Sequence, residues 1–272
     1  MYFSMVDMGI ENTERINTIG SESDKWRFIY DTAKNYGFEG IHFGIGRHGL
    51  DLNNMPDYFQ EFKLTLHFDK VYNQIISQQE YDTFNKELSK GFEIALKHKM
   101  HDISLHPPGI DGFTIEERKI CEEWFDKAIA KWVREALLSN ISLSLETHVT
   151  GEFFLFNGLR EYAKFIDRHP NLGVLIDITH NYYDNFSEDD IINILGDKNV
   201  KGLHISDALQ NVEFRKGTHL AIGEGTVNFE KLLEYFDKIP NLYGALEINA
   251  NNESIDRSLK NLNKILNLRS IT

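Results

Sequence analysis

Short β-type runs alternate with amphipathic helical stretches along the whole chain, and this alternation constrains the fold more than any other feature. Eight runs have the length and the apolar content of buried strands. They cover residues 2–6, 40–44, 63–68, 102–107, 141–147, 173–180, 200–207 and 243–249. Apolar residues recur at helical spacing in 24–36, 81–99, 115–138, 159–168, 229–236 and 255–266. A pattern of this kind predicts parallel strands joined by helices.

The length of the repeating unit favours a closed barrel. Eight units in 272 residues give about 34 residues each, close to the roughly 250 residues over eight units that are typical of a (β/α)8 barrel. Gly37, Gly173 and Gly202 stand between a helix end and the next strand, where a tight turn is needed. No linker or low-complexity tract divides the sequence. We therefore predict an α/β fold with a single TIM barrel over residues 1–272, and a doubly wound open sheet is the structural alternative.

The charge balance bears on the partners of the protein. The sequence has 42 acidic against 29 Lys and Arg residues, a net charge of −13, which repels a polyanion unless basic residues cluster locally. The sequence has no run of about 18 apolar residues, and its start does not resemble a signal peptide. We expect a cytoplasmic protein with no membrane partner. Cys121 is the single cysteine and lies in a helical pattern, so it is assigned no chemistry.

Polar side chains stand at the ends of six predicted strands, where a TIM barrel carries its chemistry. They are His67, His106, Glu146, Asp177, His204 and Glu247, with His180 and His219 a few residues after the sixth and seventh strands. Barrel closure brings the ends of strands five to eight together, so carboxylates and an imidazole converge and their repulsion requires a cation. Mixed oxygen and nitrogen ligands suit a divalent metal such as Mn, Co, Mg or Zn.

The other histidines occupy less informative positions. A single histidine near a strand is more often a hydrogen-bonded structural residue than a ligand. Core or surface roles are predicted for His42 inside the second strand, His98 and His101 near a helix end, and His169 in a turn. The roles of His48 and His148, in loops at the carboxyl ends of the strands, stay open.

Five segments, in this order and spacing, carry a family resemblance: LSLETH (143–148), GVLIDITH (173–180), GLHISDA (202–208), HLAIGEG (219–225) and ALEIN (245–249). They resemble the xylose isomerase-like TIM-barrel superfamily. That group includes sugar epimerases and isomerases of the tagatose epimerase and hydroxypyruvate isomerase type, and also endonuclease IV, which cuts DNA at abasic sites. The resemblance covers nearly the whole chain. It implies that one shared metal is bound by Glu146, Asp177, His204 and Glu247.

The resemblance to sugar isomerases and epimerases implies proton transfer between adjacent carbons. This reaction needs a base on the C–H bond, a metal that polarises the neighbouring oxygens and a second acid or base. Glu146 and Glu247 are implied to be the catalytic proton carriers, one on each face of a metal-bound cis-enediolate. The implied substrate is a small polar molecule: a sugar, a sugar phosphate or a keto acid. Its implied contacts are His180, His67 and His106.

The resemblance to endonuclease IV implies an alternative, a multi-zinc phosphodiesterase or abasic-site endonuclease. Additional metals would then be bound by His67 and His106 on one side and by His180 and His219 on the other. The nuclease pattern has an aspartate two residues before His219, where this chain has Gly217. The predicted top loops also carry few basic residues: Arg47, Lys70, Arg215 and Lys216. A small polar substrate is therefore favoured over nucleic acid. A homo-oligomer and a non-enzymatic metal-binding barrel stay open.

Overall fold

The computed structural model describes residues 1–6, 18–68, 74–109, 114–149, 154–248 and 252–269. Within these residues, eight parallel strands close a barrel in chain order, with β1 hydrogen-bonded to both β2 and β8. The strands are β1 (Tyr2–Val6), β2 (Gly40–Gly44), β3 (Lys63–Phe68), β4 (Asp102–Leu105), β5 (Ser142–Glu146), β6 (Gly173–Asp177), β7 (Val200–Ile205) and β8 (Tyr243–Leu246). The predicted (β/α)8 barrel is confirmed, and the open-sheet alternative is wrong.

Helices connect most of the strands. They are α1 (Glu22–Tyr36), α2 (Gln78–Lys97), α3 (Ile115–Leu138), α4 (Leu159–Arg168), α5 (Ile178–Tyr183), α6 (Glu188–Leu195), α7 (Phe214–Gly217), α8 (Phe229–Phe236) and α9 (Asn252–Arg269). Helical periodicity predicts six of them to within three residues at each end, but not α5, α6 or α7. Three 3-10 turns within 47–61 lie between β2 and β3. Among the described residues, no helix has both the length and the apolar composition that a membrane crossing requires.

Several strands end earlier than the sequence pattern predicts, and β6 differs most. The predicted run continues to His180, whereas the strand ends at Asp177. The Asp177 carboxylate accepts a hydrogen bond of 2.7 Å from the His180 backbone N–H and so caps α5. An aspartate in extended conformation with this bond is a strong helix start. The predicted strand over 178–180 is therefore wrong, and His180 lies in the first turn of a helix above β6.

The strands pack an apolar core against the helices. Successive strand residues point to opposite faces, so alternate positions face the helices. Among them, Ile41, Leu66, Ile103 and Leu145 are fully buried and belong to one apolar cluster. The parallel strands are thus apolar on their outer face, as the sequence pattern predicts.

The barrel interior contains many polar side chains. Asp102 lies near its lower end, 1% exposed, and accepts hydrogen bonds from Ser144 Oγ at 2.7 Å and from the Tyr243 hydroxyl at 2.9 Å. His42 and Thr65, paired across β2 and β3, are fully buried one level higher. Buried polar groups of this kind are tolerated because they bond to one another. The interior therefore presents a polar column beneath the carboxyl ends of the strands.

Candidate metal centre

Four polar side chains from β5 to β8 meet at the carboxyl end of the barrel. Glu146 ends β5, Asp177 ends β6, His204 lies in β7, and Glu247 directly follows β8. The strand register places Asp177 beside His204. Each residue offers one ligand atom, and the four atoms all lie within 4.8 Å of one another. The structure thus brings together the four residues that the sequence assigns to one metal; we call them the primary group.

His204 Nδ1 lies at the middle of the primary group. It is 2.8 Å from Glu247 Oε2, 3.0 Å from Glu146 Oε1 and 3.6 Å from Asp177 Oδ2. Burial lowers the pKa of His204, but the charges of Glu146 and Glu247 outweigh burial and raise that pKa well above its usual value. The protonated His204 imidazole therefore supplies a positive charge among the three carboxylates.

The carboxylates of the primary group have the chemistry that a divalent cation requires. Burial raises the pKa values of Glu146 and Glu247, but neighbouring histidine charges, His204 above all, lower both well below their usual range. The buried Asp177 Oδ2 receives no hydrogen bond from the described residues. Buried carboxylates need a compensating positive charge, and this oxygen and nitrogen set fits a divalent metal.

A second group of potential ligands shares Glu146 with the first. His106 Nε2 lies 2.8 Å and His67 Nε2 lies 3.2 Å from Glu146 Oε2. The Ser104 hydroxyl donates to the Leu66 carbonyl at 3.3 Å, so it accepts from His67 Nδ1 at 2.9 Å. His67 then carries its proton on Nδ1 and presents a lone pair on Nε2 to Glu146. This is the arrangement of a histidine held for metal binding.

A third group joins Asp177 to His180 and His219, whose ligand atoms also lie within 4.8 Å of one another. His180 Nδ1 is 3.6 Å from Asp177 Oδ2, and the rings of His180 and His219 have centroids 5.4 Å apart. The four histidines that the sequence assigns to substrate or to additional metals therefore all adjoin the primary group.

The nuclease-type aspartate has no room at position 217. Gly217 ends α7, and a Cβ atom there would lie 2.1 Å from Val212 Cγ2 and 2.9 Å from the Leu209 carbonyl oxygen. Real Cβ atoms do not approach backbone this closely, so the local fold selects glycine. The third group therefore has one carboxylate, that of Asp177.

Two histidines near the site were not assigned to it from the sequence. His42 is fully buried, and its Nε2 lies 3.2 Å from His204 Nε2. The His148 ring packs at 3.9 Å from the Phe154 ring, and its centroid is 5.0 Å from that of His106. The His42 contact joins residues 162 positions apart, and nothing in a strand pattern signals it.

The remaining histidines, His48, His98, His101 and His169, belong to none of the three ligand groups. His101 Nε2 is 2.5 Å from the Tyr2 hydroxyl, and His169 Nε2 is 3.1 Å from Asp126 Oδ1. His98 is buried after α2. His48, whose role the sequence left open, lies in the first 3-10 turn, and its carbonyl accepts a hydrogen bond from Lys25 Nζ at 2.7 Å.

Asp207 fixes the loop that carries His219, a role that the sequence did not indicate. Its Oδ1 accepts hydrogen bonds from the backbone N–H groups of Ala208 and Val227, at 2.9 and 3.1 Å, and its Oδ2 accepts from that of Gly223 at 2.8 Å. Its own backbone bonds in both directions with Leu220, at 2.8 and 2.9 Å. One buried carboxylate thus organises the segment between β7 and α8.

The chain has no match among curated proteins. Several solved structures of known proteins share its architecture. A D-tagatose 3-epimerase-like protein is 17% identical with both chains fully covered and a TM-score of 0.80. The IolI protein with a bound zinc atom is 12% identical, with 97% and 98% coverage and a TM-score of 0.74. Endonuclease IV from Thermus thermophilus is 14% identical, with 98% and 99% coverage and a TM-score of 0.68. At such identities the likeness shows the fold alone.

A family model gives the assignment that these structures do not. The model described as xylose isomerase-like TIM barrel matches residues 30–265, which include every strand except β1. The matched region contains the primary, second and third groups in full. This chain belongs to the family of xylose isomerase-like TIM barrels.

Proposed function

We propose that this chain is a divalent-metal-dependent isomerase or epimerase of a small polar substrate: a sugar, a sugar phosphate or a keto acid. The observation that carries the proposal is the convergence of two glutamates on one centre, Glu247 at 2.8 Å and Glu146 at 3.0 Å from His204 Nδ1. Proton transfer between adjacent carbons needs one group that takes the proton and one that returns it. Two ionised carboxylates on separate strands supply this pair.

The primary group is the site proposed for the metal, with Mn, Co, Mg and Zn as candidates. A divalent metal held there would polarise the substrate oxygens next to the C–H bond that breaks. Glu247 has 18% of its side chain exposed, which supports it as the group that takes a proton from a substrate carbon. Glu146 is 1% exposed and lies deeper, on β5, as the second proton carrier. Their lowered pKa values keep both carboxylates ionised before substrate binds.

The histidines around the centre supply polar contacts for hydroxyl groups. His106 and His180 have 12% and 8% of their side chains exposed, which leaves part of each ring accessible from the open end. His67 lies deeper, at 3%. Imidazole nitrogens donate or accept hydrogen bonds according to tautomer, which suits the hydroxyl and carbonyl groups of a sugar.

Solvent exchange of the substrate C–H tests this function directly. The purified protein is loaded with Mn, Co, Mg or Zn and incubated in D2O with ketoses, their phosphates and small hydroxy-keto acids. We expect metal-dependent deuterium incorporation beside the carbonyl with at least one of these substrates. Removal of the metal by a chelator should stop the exchange, and readdition should restore it. Exchange absent from the whole panel, in protein shown to contain metal, contradicts the proposal.

The sharing of ligands between groups favours a second candidate, a multi-metal phosphodiesterase. Glu146 belongs to the primary and second groups, and Asp177 belongs to the primary and third groups. Adjacent metals that share carboxylates activate a hydroxide and stabilise the leaving oxygen in phosphoester hydrolysis. The glycine at 217 and the net charge of −13 favour the isomerase instead.

Metal stoichiometry separates the two candidates without a guessed substrate. One divalent metal per chain, by elemental mass spectrometry after loosely bound ions are removed, supports proton transfer. Two or three zinc ions per chain support phosphoester cleavage and lead to assays on abasic DNA. In that case His219→Ala should remove the phosphodiesterase activity, because His219 belongs only to the third group.

A further inference from the structure

His42 has a defined position beneath the primary group. It lies in the middle of β2, is fully buried, and points into the barrel. Its ring is stacked on that of His67, with centroids 5.3 Å apart and planes at 29°, and lies 5.5 Å from the Tyr243 ring. Held between two rings, the imidazole has little freedom to turn. Both of its nitrogens have polar neighbours: Nε2 lies 3.2 Å from His204 Nε2, and Nδ1 lies 2.6 Å from Thr65 Oγ1.

Binding of a metal by His204 would require a neutral imidazole and would thereby fix the direction of these hydrogen bonds. Nδ1 of His204 faces the carboxylates of the primary group, so Nδ1 is the nitrogen that must present a lone pair to a metal. A neutral imidazole with a lone pair on Nδ1 carries its proton on Nε2. That proton points toward His42 Nε2, which must accept it, and His42 then carries its own proton on Nδ1 and donates it to Thr65 Oγ1.

We propose that His42 is a positioning residue for the metal, which holds His204 in the ligating tautomer through the chain His204 Nε2–H to His42 Nε2 and His42 Nδ1–H to Thr65 Oγ1. This inference rests on the metal centre of the proposed function. Histidine ligands generally donate their second N–H to an outer partner that fixes ring orientation and tautomer. Here the outer partner is a second histidine, contributed by a strand on the other side of the barrel.

Zinc affinity in two size-matched variants tests the proposal. His42→Leu removes the acceptor, whereas His42→Gln keeps a carbonyl oxygen that reaches about as far as the imidazole Nε2. Affinity is measured by competition with a chromophoric chelator, alongside thermal unfolding of each protein. Loss of an outer partner weakens metal binding about 10-fold to 100-fold. We expect that loss in His42→Leu and recovery of most of it in His42→Gln. Zinc affinity in folded His42→Leu within twofold of the wild type overturns the proposal, and so does equal loss in both variants.

A second pair of variants covers the case in which position 42 does not tolerate substitution. Thr65→Val removes the last acceptor at nearly constant volume, and Thr65→Ser retains it. We expect weaker zinc binding in Thr65→Val than in Thr65→Ser, and equal affinities contradict the proposed chain of hydrogen bonds.

A spectroscopic measurement reports the tautomer itself. In zinc-loaded protein labelled with 15N-histidine, His204 should show a protonated Nε2 and a scalar coupling across the N–H···N bond to His42. A neutral His204 ring protonated on Nδ1 overturns the proposal, because that tautomer has no lone pair on Nδ1 for a metal and no proton on Nε2 to donate to His42. If the wild-type protein binds no zinc, the metal centre of the proposed function is itself contradicted. The failure of the inference is therefore distinguishable from failure of the proposed function.

Discussion

Access to solvent distinguishes the residues of the primary group. Asp177, Glu146 and His204 are at most 1% exposed at their side chains, whereas 18% of the Glu247 side chain is exposed. The three buried residues are held by neighbours on every side. Glu247 is the member that a substrate entering from the open end of the barrel meets first. Under the proposed function, this access favours Glu247 as the carboxylate that takes the first proton, whereas Glu146 acts from a deeper position.

Glu247→Gln tests the proton-carrying role of this residue. The amide keeps an oxygen that can bind a metal but accepts no proton, so turnover should fall by about 100-fold to 10,000-fold. The measurement is the rate of C–H exchange in D2O, with metal content and unfolding midpoint recorded for the same sample. Glu213→Gln is the control, since Glu213 is 63% exposed and pairs with Lys216 on the surface. A Glu247→Gln enzyme as active as the wild type rules out Glu247 as a proton carrier.

The sequence indicates the residues of the candidate site that stand at strand ends but not those that contact them across the barrel. Glu146, Asp177 and His204 are recognisable because a charged or imidazole side chain after an apolar strand has few structural reasons to be there. His42 sits inside its strand, where a structural histidine looks the same. Its contact with His204 depends on which inward-facing residues of different strands lie at the same level along the barrel axis. The stagger of the strands in the closed barrel sets these levels.

At the scale of elements, helix boundaries follow local chemistry where it is strong. Helix α3 begins after Thr114, whose hydroxyl accepts from the Glu117 backbone N–H while the Glu117 carboxylate accepts from that of Thr114. This capping box and 24 residues of periodicity made both ends of α3 predictable. Helix α6 has a similar box at Ser187 and Asp190 but only eight residues, too few for a clear period. The sequence pattern does not predict helix α5, because its N-cap residue, Asp177, also ends strand β6.

The segment between β7 and α8 depends on the carboxylate of Asp207, so Asp207→Asn should destabilise the fold. The carboxylate accepts three backbone N–H bonds, and an amide turns an N–H toward at least one of these donors. Hydrogen bonds to a buried charge each contribute about 1.5–3 kcal/mol, so we expect the free energy of unfolding to fall by roughly 2–4 kcal/mol. Urea unfolding measures it.

The same variant should disturb the third group more than the primary group, because His219 lies on the organised segment and His204 lies on β7. The control is Asp197→Asn, because the Asp197 side chain is 76% exposed. Its free energy of unfolding should differ from that of the wild type by no more than about 0.5 kcal/mol. An Asp207→Asn protein as stable as this control shows that the segment is held by its other contacts.

At the scale of the whole molecule, the alternation of strands and helices made the closed barrel predictable, but the polar interior was not. Eight alternating strand and helix units leave few arrangements for a parallel sheet. In the sequence, the strands read as apolar runs interrupted by single polar residues, such as Thr65 or Ser144. Their partners come from neighbouring strands, and the hydrogen bonds among them appear only once the register is known.

Asp102, in this polar interior, makes the stability of the barrel depend on pH. Burial raises its pKa from 3.8 to about 6, although Ser144 and Tyr243 donate hydrogen bonds that lower it. The folded state therefore holds this proton more tightly than the unfolded chain does. The stabilising contribution is present below about pH 4 and is lost as the pH rises through about 6.

Asp102→Asn removes this titration. Two pKa units correspond to about 3 kcal/mol. As the pH rises from 4 to 8, the free energy of unfolding of the variant minus that of the wild type should therefore increase by roughly this amount. Urea unfolding at pH 4, 6 and 8 measures the difference between the two proteins, so that other titrating groups cancel. A constant difference across this range contradicts the prediction.

Metal removal should also lower stability as a whole. A ligand that binds only the folded protein adds about 2.7 kcal/mol when its concentration is 100 times its Kd. We expect the unfolding midpoint to rise on addition of the metal found in the purified protein and to fall after chelation. Asp177→Ala is the comparison, because it removes a carboxylate from the primary and third groups. An equal rise in this variant places the stabilising metal elsewhere.

Glu146 places one oxygen 3.0 Å from His204 Nδ1 and the other 2.8 Å from His106 Nε2, so a single side chain belongs to two ligand groups. Occupancy of one group changes the charge and the orientation of a donor that the other group requires. By thermodynamic reciprocity, the second group then changes the affinity of the first by the same factor. If a second cation binds, as the multi-metal candidate requires, the two binding events should not be independent, and the sign of the cooperativity reports whether one cation strengthens or weakens the binding of the other.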